Sequence, residues 1–159
     1  MDKVPMTPRG QQRLKDELKR LKDVERPAVV RAIEEARAHG DLSENAEYDA
    51  AKERQGHIEG RLREIESKLA LADVIDPERL SGKKVVFGAT VRLQSEDGEE
   101  VTYRIVGEDE ADVKKGKISI SAPLARAMIG REQGDSVSLR TAKGQREYDI
   151  LGVTFQAIE

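Results

Sequence analysis

The chain has 159 residues, with Lys and Arg totalling 28 and Asp and Glu 31, for a net charge of −3. No global basic excess marks it as a general nucleic-acid binder, so any contact with phosphate must come from a local patch. The absence of cysteine excludes disulfides and thiolate zinc sites, and two histidines, His39 and His57, are too few for a protein-only imidazole metal cage. Charged residues at 37% and aromatics at 3% suit long exposed helices with a modest core. The opening Met1-Asp2-Lys3-Val4-Pro5-Met6 lacks an apolar signal core, and no run of about 18 apolar residues occurs. A soluble cytoplasmic protein is expected.

Thr7-Pro8 reads as a helix start, because Thr7 can cap and proline is tolerated in the first turn. Leu14, Leu18 and Leu21 recur at helical spacing. Val29, Ile33 and Ala36 resume the pattern shifted by one residue, with Pro27 inside the shift. A mid-helix proline removes a donor and clashes with the preceding turn, so a kink is expected near Arg26-Pro27, with the helix continuing to about His39. Gly40 suits a helix stop where positive φ is cheap. A second helix is expected from about Glu44 to Asp73. Its residues Tyr48, Ala51, Gln55, Ile58, Leu62, Ile65, Leu69 and Ala72 alternate by three and four, as in a coiled-coil seam. The short connection makes the two helices antiparallel neighbours, with small residues near the tip and leucine and isoleucine near the base.

Composition changes at Asp76-Pro77 and Ser81-Gly82. Strand-type runs follow at 84–87, 90–93, 101–106, 117–120, 136–139 and 146–154, separated by turn signals such as Asp97-Gly98 and Lys143-Gly144. One short helix, 123–129, is bracketed by Ser121 as cap and Gly130 as stop. The fold class is therefore α+β. A coiled-coil hairpin over 1–76 and a linker over 77–82 precede a small antiparallel sheet with one short helix over 83–159.

Asp41 and Glu44 stand three apart at the start of the second helix, and two readings of them are open. In one they form a capping box, Asp41 capping and Glu44 reaching back. In the other they are oxygen ligands for a hard cation. Two carboxylates cannot fill the six positions of Mg2+, so such a pair makes sense when a partner supplies the rest. Arg31, Arg37, His39, Lys52 and Arg54 lie within a few turns of the tip. They form either a basic stripe that tracks a single strand or a solvated face balanced by Glu34, Glu35, Glu47 and Glu53. Arg37 and Lys52 flank the tip on opposite helices and are the best placed for nucleic acid. No nucleophile elbow or phosphate loop is present.

These features occur together with Pro5 through Gly10, Arg26-Pro27, Gly40 through Tyr48, Glu53 through Gly56, Val86 through Val91, Tyr103 through Gly107 and Ser121 through Gly130. In that combination the chain resembles, over essentially its whole length, the Gre family of bacterial transcript-cleavage factors. The tip pattern Asp-Leu-Ser-Glu-Asn-Ala-Glu-Tyr is similar to that of its GreA branch. The resemblance implies that the hairpin enters the secondary channel of RNA polymerase and stimulates the polymerase's own cleavage of backtracked RNA. It places the two acidic tip residues on Asp41 and Glu44, which would share a Mg2+ of the polymerase active site only in the complex. The chain would have no cofactor of its own. The resemblance puts contact to the extruded RNA 3′ end on Arg37 and Lys52. It also implies an FKBP-like C-terminal domain that docks on the channel rim through Ser121, Pro123 and Leu124. The docking segment reads Ser-Ala-Pro where many relatives have Asn-Ser-Pro. A monomer that acts as an accessory factor, without membrane contact, is expected. The alternative is a channel-binding regulator that does not promote cleavage. A coiled-coil chaperone with an isomerase domain is disfavoured, because Phe87, Tyr103, Tyr148 and Phe155 are thin material for an aromatic proline pocket.

Overall fold

The computed structural model describes residues 2–41 and 45–158. They form two compact units, one built from Gln12–Leu71 and the other from Asp2–Gln11 together with the chain from Ala72 onward. This departs from the division into 1–76, 77–82 and 83–159, because the first residues belong with the sheet.

The first unit is helical. Helix α1 spans Pro8–Arg20, a π-helical turn spans Leu21–Glu25, α2 spans Arg26–Arg37 and α3 spans Ala46–Ala70. The expected disturbance at Arg26-Pro27 lies one turn earlier. The Arg26 amide donates to the Leu21 carbonyl five residues back, and Pro27 sits in the first turn of α2. A π turn holds one more residue than an α turn, which accounts for the one-residue shift between Leu14-Leu18-Leu21 and Val29-Ile33-Ala36. It also removes the clash that proline would make with the preceding carbonyls of a regular helix.

Val29, Ile58 and Leu62 are buried together, with Leu18 and Leu21 packed against them, and Ile33, Ala36, Ala51 and Ile65 extend the seam. Ion pairs reinforce it from the flanks. Arg26 donates to both carboxylate oxygens of Glu59 at 2.8 Å, Arg61 reaches Glu17 at 2.7 and 2.8 Å, and Arg54 reaches Glu25 at 2.6 Å. The 25 residues of α3 rise about 37 Å. The helix ends at Ala70, short of the expected Asp73, because Ala72–Val74 becomes strand β2. No helix among the described residues is long and apolar enough to cross a membrane.

The second unit holds two sheets. β1, Val4–Met6, pairs in parallel with β2. A five-stranded sheet has the order β5-β4-β3-β7-β6, formed by Thr90–Ser95 (β3), Glu100–Val106 (β4), Lys117–Ser119 (β5), Ser136–Thr141 (β6) and Gly144–Thr154 (β7). It is mixed and not wholly antiparallel, since β4 and β5 run parallel. The parallel edge arises because the 3-10 turns of 108–115 carry the chain back to the start of β4's direction. The run 84–87 is not a strand. Lys84 makes one isolated bridge to Glu132, while Val85 and Phe87 face the core. Val91, Leu93, Ile105, Ile118, Val137, Ile150 and Val153 form that core, covered by Ala125 and Met128 of α4, Pro123–Met128.

Glu110 is buried in this unit at 8% exposure. Its carboxylate accepts the Thr7 amide at 3.1 Å, the Gly107 amide at 3.0 Å and the Thr7 hydroxyl. Thr7 Oγ1 in turn caps α1 by accepting the Gly10 amide at 3.1 Å. A Cβ at Gly10 would overlap the Glu110 carboxyl group, and one at Gly107 would lie 2.5 Å from the Pro5 carbonyl oxygen. These close approaches tie the N-terminal strand and the first helical turn to the sheet unit.

Candidate functional site

The tip is built from the end of α2 and the start of α3. Residue 38 caps α2 in the helical region, and Gly40 takes φ 105°, as a left-handed stop requires. The N-cap of α3 is Asn45, whose Oδ1 accepts the Tyr48 amide at 3.0 Å. Asp41 is therefore not the N-cap of α3, for the first helical residue is Ala46 and its cap is the residue just before it, while Glu44, the other member of the expected box, lies outside the described residues. Asn45 also donates to the Ala36 carbonyl at 2.6 Å, closing the ends of α2 and α3 on each other. With Asp41, Ser43 and Asn45 all able to cap, the sequence offers no way to choose among them. The choice follows from the bond to Ala36, which only an amide donor at that position makes.

Asp41 is exposed on the turn. Glu44 lies outside the described residues. Arg37 stands with its guanidinium carbon 6.0 Å from the centre of the Tyr48 ring, near the limit of a cation–π contact. Lys52 donates to Gln55 at 3.1 Å. Among the described residues neither cation pairs with a carboxylate. The wider basic stripe divides, since Arg54 is committed to Glu25 and His39 Nδ1 lies 3.1 Å from Glu47. Glu25 thus balances Arg54, and Arg37 and Lys52 stand exposed without a carboxylate partner among the described residues. Among the described residues no group of three or more His, Cys, Asp or Glu is gathered in one place.

In the sheet unit, Ser121 and Pro123 are exposed and Leu124 is half-buried against the core. Ser121 does not cap α4. The N-cap position is Ala122, and the Ser121 side chain pairs with Ser119 Oγ at 2.8 Å while its amide donates to the same oxygen at 3.1 Å. Pro123 opens α4 with a fixed φ and no unsatisfied donor. These bonds join Ser119 to Ser121 just ahead of α4.

A helical hairpin with a narrow polar tip, carried on the same chain as a small α+β unit, defines a two-module architecture. Residues 4–74 match the family described as "Transcription elongation factor, N-terminal", and residues 80–155 match "Transcription elongation factor, GreA/GreB, C-term". The chain belongs to the GreA/GreB family of transcription elongation factors. It is 64% identical to the transcription elongation factor GreA of Caulobacter sp. (strain K31), covering 96% of this chain and 98% of that protein. It is 61% identical to GreA of Anaeromyxobacter sp. (strain K), covering 98% and 94%. A solved GreA/GreB structure from Nitrosomonas europaea is 26% identical, covers 96% of this chain and all of that one, and superposes with a TM-score of 0.43.

Proposed function

We propose that the hairpin enters the secondary channel of RNA polymerase and stimulates the polymerase's own cleavage of the 3′ end of backtracked RNA. The observation that carries this reading is the family match across both units, joined to a tip where Asn45 supplies the α3 cap. The chain acts as a cytoplasmic, monomeric accessory factor and not as a nuclease by itself. Asp41 and Glu44 supply hard oxygen donors of the kind Mg2+ takes, and the polymerase's carboxylates and water complete the coordination. Bound there, the ion would make water a better nucleophile and stabilise the leaving oxygen. The work of this chain is to present those two carboxylates, to steer the extruded RNA by its phosphates with Arg37 and Lys52, and to seat the sheet unit on the channel rim. Ser121, Pro123 and Leu124 form the seat. Cleavage of a stalled, backtracked elongation complex with and without the protein tests the reading. RNA shortened only when the factor is present supports it. Polymerase binding without shortening would make the chain a channel-blocking regulator.

A further inference from the structure

The outer face of the five-stranded sheet carries polar groups that neither the tip nor the docking segment uses. Val91, Leu93, Ile105 and Ile118 turn into the core, so alternation sends Thr90, Arg92, Arg104 and Lys117 to the opposite face. The register sets them in rows. Lys117 lies across from Arg104, Arg104 across from Thr90, and Thr90 across from Thr154, while in the next row Arg92 lies between Thr102 and Gly152. Thr90, Arg92, Thr102, Gly152 and Thr154 line one depression of about 400 Å³.

Two atoms on this face lack what burial demands. Thr90 is 7% exposed, and its Oγ1 has no hydrogen-bond partner. Directly across the strand, the buried Nε of Arg104 has none either. Buried polar groups are nearly always hydrogen-bonded, so the orphan on Thr90, a residue that lines the depression, calls for a ligand. Arg92 is the one cation among the lining residues, with Glu100 3.9 Å from its Nε. Arg104 and Lys117 stand beside it on the same face, Lys117 having a partner of its own, and the carboxylates of that face are Glu100 and Asp149, both across from Gln94. None of the five lining residues is acidic.

We propose that this face is a phosphate-binding site. Guanidinium groups and hydroxyls donate to phosphate oxygens, and the guanidinium fork matches their spacing. At Gly152 nothing stands within 4 Å of where a side chain would begin, which leaves room for the ligand. No aromatic ring or side-chain amide lines the depression, so it takes the phosphate group and reads no base. The site lies wholly in the sheet unit and does not depend on the role of the tip.

The test is a 15N–1H correlation titration of the full chain at constant ionic strength, with inorganic phosphate in one arm and a short mixed-sequence single-stranded oligoribonucleotide in the other. The amides of Thr90, Arg92, Thr102, Gly152 and Thr154 should move together and saturate. Thr90→Val and Arg92→Gln should each weaken binding about tenfold, as loss of one charge-assisted or buried donor implies. Thr90→Val should melt no lower than the parent, because the hydroxyl it removes has no partner in the protein. Saturation by the oligonucleotide at lower concentration identifies a polynucleotide backbone as the source, and the reverse order identifies free phosphate. Either order supports the site. No shift in either arm, shifts spread over every surface cation, binding unchanged by both variants, or a lowered melt for Thr90→Val would overturn it.

Discussion

Asn45 joins two functions in one side chain, capping α3 through Oδ1 and holding the end of α2 through its amide nitrogen. Asn45→Ala should lower stability by about 1–2 kcal/mol, the sum of a lost cap and a lost inter-helix bond. Asp41→Ala, an exposed substitution outside the α3 cap, should cost less than Asn45→Ala, with only the one interaction of Asp41 lost. Thermal melts followed by helical circular dichroism check both. Equal losses at the two positions would return the cap to Asp41. At this scale the segment was legible in the sequence and the capping residue was not, since three short polar side chains within five residues can each accept an amide. The places of Arg37 at the end of α2 and Lys52 early in α3 were legible from the helix boundaries. The pairing of Arg54 with Glu25 was not, because it joins residues 29 apart in the chain.

The hairpin's elements are laced by carboxylates held below their ordinary value of 4.5. Hydrogen bonds from Arg61 to Glu17, from Arg54 to Glu25, from Arg26 to Glu59 and from Lys68 to Glu64 are the leading causes, each opposed or helped by smaller effects of burial and neighbouring charge. A depressed folded pKa means that the unfolded chain takes up protons first as pH falls. The stabilisation is therefore complete above about pH 4.5 and is lost as pH drops through the lower folded values. Because these pairs are largely exposed, each contributes little, and salt should weaken the effect. The helical melt should be level above about pH 5 and fall below it. A melt that held level or rose on acidification to about pH 3 would contradict the assignment. Periodicity made α1, α2 and α3 legible, and the one-residue shift in it is the π turn. The run 84–87 alternates like a strand yet finds a single bridge, since Val85 bonds to the segment after α4 and not to a ladder. β1 and β2, three residues each, are too short to leave a pattern.

For the molecule as a whole, the hidden feature is that the sheet unit includes the chain's first residues. Glu110 accepts two of its three hydrogen bonds from Thr7, about a hundred residues away in sequence, and no local pattern announces such a pairing. A fragment beginning at Ser81 lacks Thr7, β1 and β2. It should melt at least about 5 °C below the sheet unit of the intact chain, given the worth of hydrogen bonds to a buried carboxylate. Coincident melts would show that the N-terminal strand adds nothing. In the proposed docking, Ser121, Pro123 and Leu124 would raise the local concentration of a tip carried on the same chain, and binding and cleavage would then separate by unit. In the proposed function the tip carboxylates Asp41 and Glu44 serve chemistry in the partner, and the docking unit supplies the affinity. This division is tested by RNA cleavage in a backtracked elongation complex supplied with the parent protein, Asp41→Ala or Glu44→Ala, with polymerase affinity measured in parallel. Both variants should bind as the parent does and lose most of the stimulated cleavage. Cleavage at the parent rate by both variants would contradict the division.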